Sequence, residues 1–472
     1  MRRSSTALDR IPADDADRRP DRLGAAVELA PTGTDTTAGP AAADPGTAPA
    51  ATIMRGLVAA GALVALIVAT YVVGRWLQLG GTRLFTLAPP LTGRFDPRLP
   101  WRAGLPAAVG LAGVLAGPRL ARRLGWRPLL WTTAGAALAW SGSLAFTDGL
   151  GGLLDPVRAR TDYLASLPFV ITPGAFLTGF VEGIERYSTH ARAHPPGLLV
   201  GLWGMDHIGL SGAGWVAAAQ HAAGAASVPA LLLAVREVAS SRAARTVAPF
   251  AVFMPATVAW GSGDAIFLGV ATWSIALLVL ATGRRDRRGD LLALAGGLLA
   301  GAAVFLSYGL VLLAAVPLAV GTARRRVRPF VLAATGVVAV TVAFAAAGFW
   351  WFDGLEATRR EYALSIARFR PYSFFLVANL AAFGIALGPA VVAGAARLRD
   401  RRLWLLVGGG LIAIALADLS GMSKAEVERI WLPFVPWLVV ATAAHGRQEV
   451  RGWLGAQVVW ALVFQLAVRQ QW

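Results

Sequence analysis

The sequence predicts an all-α integral membrane protein, a bundle of about thirteen transmembrane helices. First, 56% of the 472 residues are hydrophobic and only 15% are charged, whereas soluble domains contain about 45–50% apolar and about 25% charged residues. Second, apolar stretches long enough to cross about 30 Å of hydrocarbon recur from Leu57 to Val468. Because backbone amides in lipid must be hydrogen-bonded internally, and because no stretch alternates as a barrel strand does, these stretches are predicted to be helices.

Residues 1–50 are predicted to form a disordered cytoplasmic tail, and residues 51–472 to form the transmembrane domain. The tail is rich in Pro, Ala, Thr, Asp and Arg and contains almost no large apolar residue, so it cannot bury a core. The first apolar run begins near Ile53. Its length of more than about 20 residues is typical of a signal anchor rather than a cleaved signal peptide.

Charge and cysteine content exclude several classes of protein. The formal net charge is +17, but the arginines lie at the ends of apolar segments rather than on one face, which argues against nucleic-acid binding. The absence of cysteine excludes disulfides and thiolate metal sites. No Walker loop and no HExxH motif is present in the sequence, so an ATPase or a zinc protease is not expected.

The distribution of arginine tests the predicted spans, because cytoplasmic loops are enriched in basic residues. The spans are residues 53–77, 103–121, 128–147, 213–235, 246–260, 264–282, 290–305, 307–321, 329–349, 373–396, 402–418, 430–444 and 452–468. With a cytoplasmic N-terminus, every second break should be basic. Six breaks fulfil this expectation, at residues 119–127, 236–245, 284–288, 324–328, 397–402 and 447–451.

The alternation holds only if the short apolar segment 195–210 does not cross the membrane. This segment opens with two prolines and carries Asp206 and His207. A re-entrant or surface-lying helix is therefore predicted there. The odd number of spans places the C-terminal Trp472 outside.

The opposite breaks are predicted to form the functional face, on the extracytoplasmic side of the plasma membrane. These breaks contain most of the acids, histidines and prolines outside the tail. They are residues 78–102, 148–212, 261–264, 350–372 and 419–429. Long patterned loops on one side of a helical bundle usually carry function. Within them, residues 350–372 are predicted to contain an amphipathic surface helix whose arginines face an anionic ligand or lipid headgroups.

The segment His190-Ala-Arg192-Ala-His194-Pro-Pro-Gly is the first candidate site. Two prolines end a helix on their N-terminal side and begin one on their C-terminal side. His190, Arg192 and His194 therefore lie at an electropositive helix N-terminus, where an anionic ligand such as a phosphate is favoured. The alternative is an interfacial belt of side chains that face lipid headgroups.

The second candidate site is the segment Ser423-Lys424-Ala-Glu-Val-Glu428-Arg429-Ile-Trp-Leu-Pro433. Lys424 is the only lysine in the chain, which indicates a requirement for a compact ammonium group. Glu428 and Arg429 lie at the start of a predicted span, an expensive position for a charge without a partner. An ordinary salt-bridged helix start is the alternative.

Three aspartates are the candidate acids. Asp96 lies on a proline-bounded turn two positions after Arg94. Asp96 and its rival Asp162 could each serve as a general base if they are held and partly buried, and each could equally be a solvated loop acid. Asp264 is expected to be the N-cap of the span that follows it, with ligand contact as the alternative.

Taken together, these motifs resemble the GT-C superfamily of polytopic glycosyltransferases that use polyprenyl-phosphate sugars. The shared features are an acid in an early external loop, an HPP segment that opens a short helix, a Gly-x-Gly-Asp-like turn and a late charged loop. Residues 190–197 and 423–433 most resemble the actinobacterial methylthioxylose transferases, which decorate cell-wall lipoglycans. The resemblance covers the chain from about residue 53 to the end.

The resemblance implies roles for particular residues. Asp96 or Asp162 would be the general base that activates an acceptor hydroxyl. Asp96 is preferred, because the superfamily carries its acid in the first external loop, whereas Asp162 shares a loop with the HPP segment. A pair of spans between the Asp96 loop and the HPP loop departs from the common plan and leaves the choice open. The donor phosphate would be bound by His190, Arg192, His194, Lys424 and Arg429, with Arg94, Asp264 and Glu428 in support. No metal ligands are assigned, and the superfamily includes both members that need a divalent cation and members that do not.

The implied partners are a polyprenyl-phosphate sugar, a cell-wall glycan or lipoglycan acceptor, and the lipid bilayer. The alternative function is a membrane transporter or lipid flippase. Such proteins generally need ionisable groups near the membrane midplane, often in matched halves. Acidic residues are almost lacking in the predicted spans, and the sequence contains no convincing inverted repeat, which favours the transferase.

The topology can be tested with reporter fusions. A reporter fused after residue 320 should be active in the cytoplasm, and one fused after residue 365 should be active outside, because one predicted span separates them. If both fusions report the same side, the list of spans is wrong.

Overall fold

The computed structural model describes residues 50–470, and helices account for almost all of its secondary structure. The predicted tail up to residue 49 and the C-terminal Trp472 lie outside the described residues, so the predictions about them stay predictions. The first half of the helical order is α1 Ala50–Leu79, α2 Gly104–Arg123, α3 Trp126–Ala145, α4 Gly149–Arg158, α5 Pro173–Thr178, α6 Thr189–Arg192, α7 Gly197–His207, α8 Ala213–Val238, α9 Ser241–Val252 and α10 Asp264–Thr282.

The second half of the order contains both long spans and the short helices of the late loop. It comprises α11 Arg287–Leu306, α12 Ala315–Ala323, α13 Arg328–Ala346, α14 Trp351–Leu364, α15 Tyr372–Leu387, α16 Pro389–Ala395, α17 Arg401–Leu419, α18 Val427–Ile430, α19 Val435–Val439 and α20 Val450–Ala467. Two short antiparallel strands, β1 Arg94–Phe95 and β2 Val468–Arg469, join the early loop to the end of α20.

The predicted helical membrane bundle is confirmed at this level. Among the described residues, eight helices are long and apolar enough to cross a membrane, namely α1, Trp101–Arg123, α8, α10, α11, α13, α17 and α20, and the bent pair α15–α16 makes a ninth if it is one span. These helices indicate a multi-pass membrane protein. α10 is the most buried of them, and α1 and α13 are the most exposed.

The remaining predicted spans fall on less regular structure. Residues 128–147 correspond to α3, which is not among the candidate spans, and residues 246–260 are divided between α9 and a 3₁₀ helix at Pro255–Gly261. Residues 307–321 and 430–444 fall on the shorter apolar helices Tyr308–Ala323 and Leu432–Ala444. The full count of about thirteen therefore stays a prediction.

The HPP segment behaves as its prolines predict, since α7 begins at Gly197 directly after them. α7 has 11 residues, or about 16 Å of helix at about 1.5 Å per residue, which is too short to cross a bilayer. The predicted surface helix within residues 350–372 corresponds to α14.

A bend of 105° separates α15 from α16. Gly388 has a φ of 78° at this point, a conformation that glycine adopts without strain. The side chain of Gln457, on α20, donates to the carbonyl of Leu387 at 2.6 Å and accepts from the amide of Ala390 at 3.0 Å. The backbone groups that lose their helical partners at the bend are thus hydrogen-bonded within the protein. Such bonding is necessary in the hydrocarbon core of a membrane, where no water can replace it.

α11 and α13 approach each other through glycine. A Cβ atom added to Gly297 would overlap the backbone carbonyl of Ala333, and one added to Gly336 would meet the backbone at Leu298. Small residues let helix backbones approach closely in membranes, where packing replaces the hydrophobic driving force.

Gly297→Ala should therefore lower the melting temperature of the protein in detergent, because overpacking of this kind costs about 1–3 kcal/mol. Gly408→Ala is the matched control, since Gly408 lies within the helical span α17 and nothing lies within 4 Å of an added Cβ. The control should be neutral or slightly stabilising. Equal melting temperatures for both variants would contradict the close approach of α11 and α13.

Candidate functional site

Buried and partly buried titratable side chains from three separate segments form one hydrogen-bonded cluster around the buried Arg429, here called the buried network. Its members are Asp162, His190, Asp264, Glu426 and Arg429. They come from the long loop after α3, from the first turn of α10, and from the loop after α17. The candidate segments identified separately in the sequence therefore meet in the fold.

Backbone contacts hold Asp162 against His190. The amide of His190 donates to the carbonyl of Thr161 at 2.9 Å, and the buried Ser166 hydroxyl accepts from the amide of Ser188 at 2.7 Å. These bonds position the imidazole of His190 so that its Nδ1 lies 3.3 Å from Oδ2 of Asp162. The Asp162 side chain is 4% exposed, and its Oδ1 has no hydrogen-bond partner among the described residues.

Asp264 does not have the role expected of it. The N-cap of α10 is Gly263, and no side-chain capping bond is present. The Asp264 carboxylate instead accepts from Nη1 of Arg429 at 2.5 Å, with both side chains 3% exposed. The N-cap prediction was wrong because the buried guanidinium forms a stronger, charge-assisted bond than a backbone amide would.

Glu426 is a second carboxylate partner of Arg429 and accepts from its Nη2 at 3.0 Å, while Nε of Arg429 has no hydrogen-bond partner among the described residues. Ala425 and Glu426 both have positive φ angles, 73° and 61°, which are strained for residues with a Cβ. Asn379 on α15 holds this strained turn, because its side chain accepts from the amide of Ala425 and donates to the carbonyl of Ser423. Strain of this kind persists only where surrounding contacts over-determine the backbone.

The network assigns one tautomer to His190. The Arg429 guanidinium can only donate, so Nε2 of His190, which lies 3.4 Å from Nη2, must be the acceptor. Nδ1 then carries the proton and donates to Asp162.

Carboxylates outnumber cations among these five side chains. Burial by itself would lower the pKa of Arg429, but the adjacent Asp264 and Glu426 outweigh burial and raise it. Burial would likewise raise the pKa of Glu426, yet Arg429 and other nearby cations lower it. Arg429 therefore stays charged, and its two Nη atoms are occupied by acceptors within the protein. Arg429 is thus poorly placed to bind a phosphate while these contacts persist.

Tyr163 is a member of the site that the sequence did not single out as a candidate. Its ring packs against those of His190 and His194, and its buried hydroxyl has no hydrogen-bond partner among the described residues. Burial, followed by the charges of Asp264 and Asp162, raises the pKa of Tyr163 well above its ordinary value. Its position directly after Asp162 was the only signal in the sequence.

The ring of His194 packs against those of Tyr163 and Phe267. Its Nδ1 lies 2.8 Å from the carbonyl of His190, to which it donates, and burial lowers its pKa. A neutral ring with a proton on Nδ1 follows. The adjacent Gly197 allows α7 to contact the backbone of Phe305, which a side chain at this position would overlap.

Two of the expected phosphate ligands are more open. Nζ of Lys424 donates to the carbonyl of Ala367 at 3.1 Å, which uses one of its three N–H groups. Arg192 lies 3.3 Å from Glu361, and its side chain is 36% exposed. Glu428 is buried and directly precedes Arg429.

Asp96 lies apart from the buried network. Its carboxylate accepts from Arg94 at 2.9 Å and lies 3.4 Å from Arg469, and its side chain is 35% exposed. Within residues 50–470, no hydrogen bond or ion pair connects Asp96 with Asp162 or Arg429. Arg94, two positions before Asp96 in the sequence, thus forms an ion pair with it next to the β1–β2 pair.

Arg370 connects the early and late loops, although the sequence did not distinguish it from the other arginines. Its guanidinium donates to the carbonyls of Leu84, Phe85 and Lys424. Burial lowers the pKa of Arg370, with the nearby Glu426 opposing this shift. An arginine that satisfies several carbonyls in this way joins two loops from opposite ends of the sequence.

No group of three or more His, Asp or Glu side chains within residues 50–470 is arranged to hold a metal ion. Comparison with known proteins adds no relative, since no protein-family model, no curated protein and no solved structure matches the chain.

The Asp264–Arg429 pair can be tested by stability. Asp264→Asn should lower the melting temperature substantially, by a free energy on the order of 3 kcal/mol, because removal of one partner leaves a buried charge poorly compensated. Asp290→Asn is the control, because Asp290 pairs with Arg328 at the surface and should change stability little. Equal effects of the two substitutions would show that the buried pair is not formed.

Proposed function

We propose that this protein is a membrane glycosyltransferase of the GT-C type. It would transfer a sugar from a polyprenyl-phosphate donor to a cell-wall glycan or lipoglycan on the extracytoplasmic side of the plasma membrane. The observation that carries the proposal is the convergence of three segments that resemble this superfamily, namely residues 190–197, the turn at Asp264 and residues 423–433, on one buried network.

Asp162 is the general base in this proposal. As the acceptor hydroxyl oxygen bonds to the anomeric carbon, the bond from that carbon to the donor phosphate breaks, and the hydroxyl proton moves to Oδ1 of Asp162. Oδ1 is the carboxylate oxygen without a partner among the described residues, while Oδ2 is held by His190. A base must lie within hydrogen-bond reach of the proton that it takes.

The surroundings favour Asp162 over Asp96 for this role. Asp162 is buried and belongs to a network in which carboxylates are in excess, so a positive charge that develops in the transition state is stabilised there. Asp96 is more exposed, forms ion pairs with two arginines and, within the described residues, has no hydrogen bond or ion pair with the buried network. We therefore assign Asp96 and Arg94 to the attachment of the early loop.

Lys424 and Arg192 are the proposed ligands of the donor phosphate. Both retain N–H groups that the described contacts do not use, whereas the two Nη atoms of Arg429 and Nδ1 of His194 are engaged within the protein. Cationic groups stabilise the phosphate as its bond to the sugar breaks. Arg429 and His190 then act by positioning Asp162 rather than by contact with the donor.

The buried network is closed in this structure, because Oδ1 of Asp162 is inaccessible to solvent. An acceptor reaches it only when a covering segment moves. The strained turn at Ala425 and Glu426 is the proposed moving element, since strained backbone stores free energy that its release makes available.

The proposal predicts different outcomes for two isosteric substitutions. In membranes supplied with radiolabelled decaprenyl-phosphate sugars and a panel of glycan acceptors, Asp162→Asn should reduce transfer by a factor on the order of 10²–10⁴, because it removes the basic lone pair. Asp96→Asn should retain most of the activity. The melting temperatures of both variants should be measured to verify that they fold.

Loss of transfer in Asp96→Asn alone would reverse the assignment of the base. Full activity in both variants would eliminate the proposed mechanism. No transfer by the unaltered protein with any donor, together with translocation of a fluorescent lipid in proteoliposomes, would favour the transporter instead.

A further inference from the structure

A cavity of about 370 Å³ lies at the end of α10 opposite to the buried network. The central helix α10 begins at Asp264 and ends at Thr282, where the cavity is formed by the break before α11 and the break before α13. The arginine pattern predicts this side to be cytoplasmic. Its lining residues are Ala281, Arg284, Arg285, Gly289, Asp290, Arg325, Arg326, Val327, Arg328 and Pro329.

Five arginines and one aspartate line this cavity. Asp290 is bound in a bidentate pair by Arg328, and Arg284 lies 3.6 Å from Asp286. Arg285 and Arg325 have no side-chain hydrogen bond or ion pair with any other residue in the range 50–470. The cavity therefore has a strong positive charge that the protein itself does not neutralise, which favours an anionic ligand.

The surfaces beside the cavity are apolar and exposed. On α11, Leu291, Leu294 and Leu298 are exposed, and on α13 so are Val331, Val338 and Val342. Because both helices are candidate membrane spans that begin at the cavity, these side chains lie where acyl chains would be. A lipid satisfies both the charge of the cavity and the apolar surface below it, whereas a soluble anion satisfies only the charge.

We propose that this cavity binds the phosphate headgroup of an anionic phospholipid from the leaflet on its own side, with the acyl chains along α11 and α13. Basic pockets between transmembrane helices bind such headgroups in general, and the volume of about 370 Å³ lies at the lower end of the range of ligand pockets. The site is independent of the proposed transferase activity.

Native mass spectrometry of the full-length, delipidated protein tests the proposal. Dioleoyl phosphatidylglycerol should bind in a 1:1 complex more tightly than dioleoyl phosphatidylcholine, which has the same acyl chains. The double variant Arg285→Gln/Arg325→Gln should weaken binding of phosphatidylglycerol by about thirtyfold, since each arginine near an anionic lipid contributes roughly fivefold. Neither side chain makes a contact that the fold needs, and melting temperatures without lipid verify folding.

Arg287→Gln/Arg288→Gln is the matched control. It removes the same charge from the first turn of α11, next to the cavity, but neither residue lines the cavity, so binding should change by less than about twofold. Equal weakening in both double variants would overturn the proposal in favour of diffuse attraction to the basic surface. Displacement of the lipid by equimolar inorganic phosphate would also overturn it, because the acyl surfaces would then contribute nothing.

Discussion

The guanidinium of Arg429 is the group on which the arrangement of the loops around the N-terminal end of α10 depends. A buried charge is tolerated only where hydrogen-bond partners replace water. Arg429 obtains these partners from Asp264 on the central helix α10, from Glu426 in its own loop, and from His190 in the long loop after α3. The loops cannot separate without leaving at least one of these groups unsatisfied. A buried pair of this kind contributes specificity of arrangement more certainly than net stability.

Polar side chains have a comparable role at other points of the bundle. Apolar surface alone does not drive one helix against another in lipid, so packing and hydrogen bonds must hold the helices. Gln457 satisfies the backbone at the bend between α15 and α16, and Asn379 joins α15 to the loop after α17. Arg370 joins that loop to the early loop near Leu84. These contacts give the irregular segments hydrogen-bond partners within the protein, without which irregular backbone is not tolerated in the hydrocarbon region.

The two ends of α10 differ in their electrostatic character. At its N-terminal end, carboxylates predominate and surround one guanidinium, which suits a site that accepts a proton from a neutral hydroxyl. At its C-terminal end, arginines predominate around an open cavity, which suits an anion. A donor phosphate at the first end would thus depend on the more exposed cations, Lys424 and Arg192, and not on the buried Arg429.

The sequence alone determined the fold class. Hydropathy and arginine placement show which segments suit the lipid bilayer and which suit water, and this can be read for each segment separately. It also indicated the segments of the site, since prolines, a single lysine and clustered charges are local signals. Only the tertiary structure decided which of these residues meet. No local pattern encodes contacts between residues far apart in the chain. Such contacts decided the pairing of Asp264 with Arg429 and the separation of Asp96 from Asp162. They also decided the roles of Tyr163 and Arg370. The bend at Gly388 was likewise decided by a neighbouring helix, because Gln457 on α20 supplies hydrogen bonds that the interrupted helix lacks.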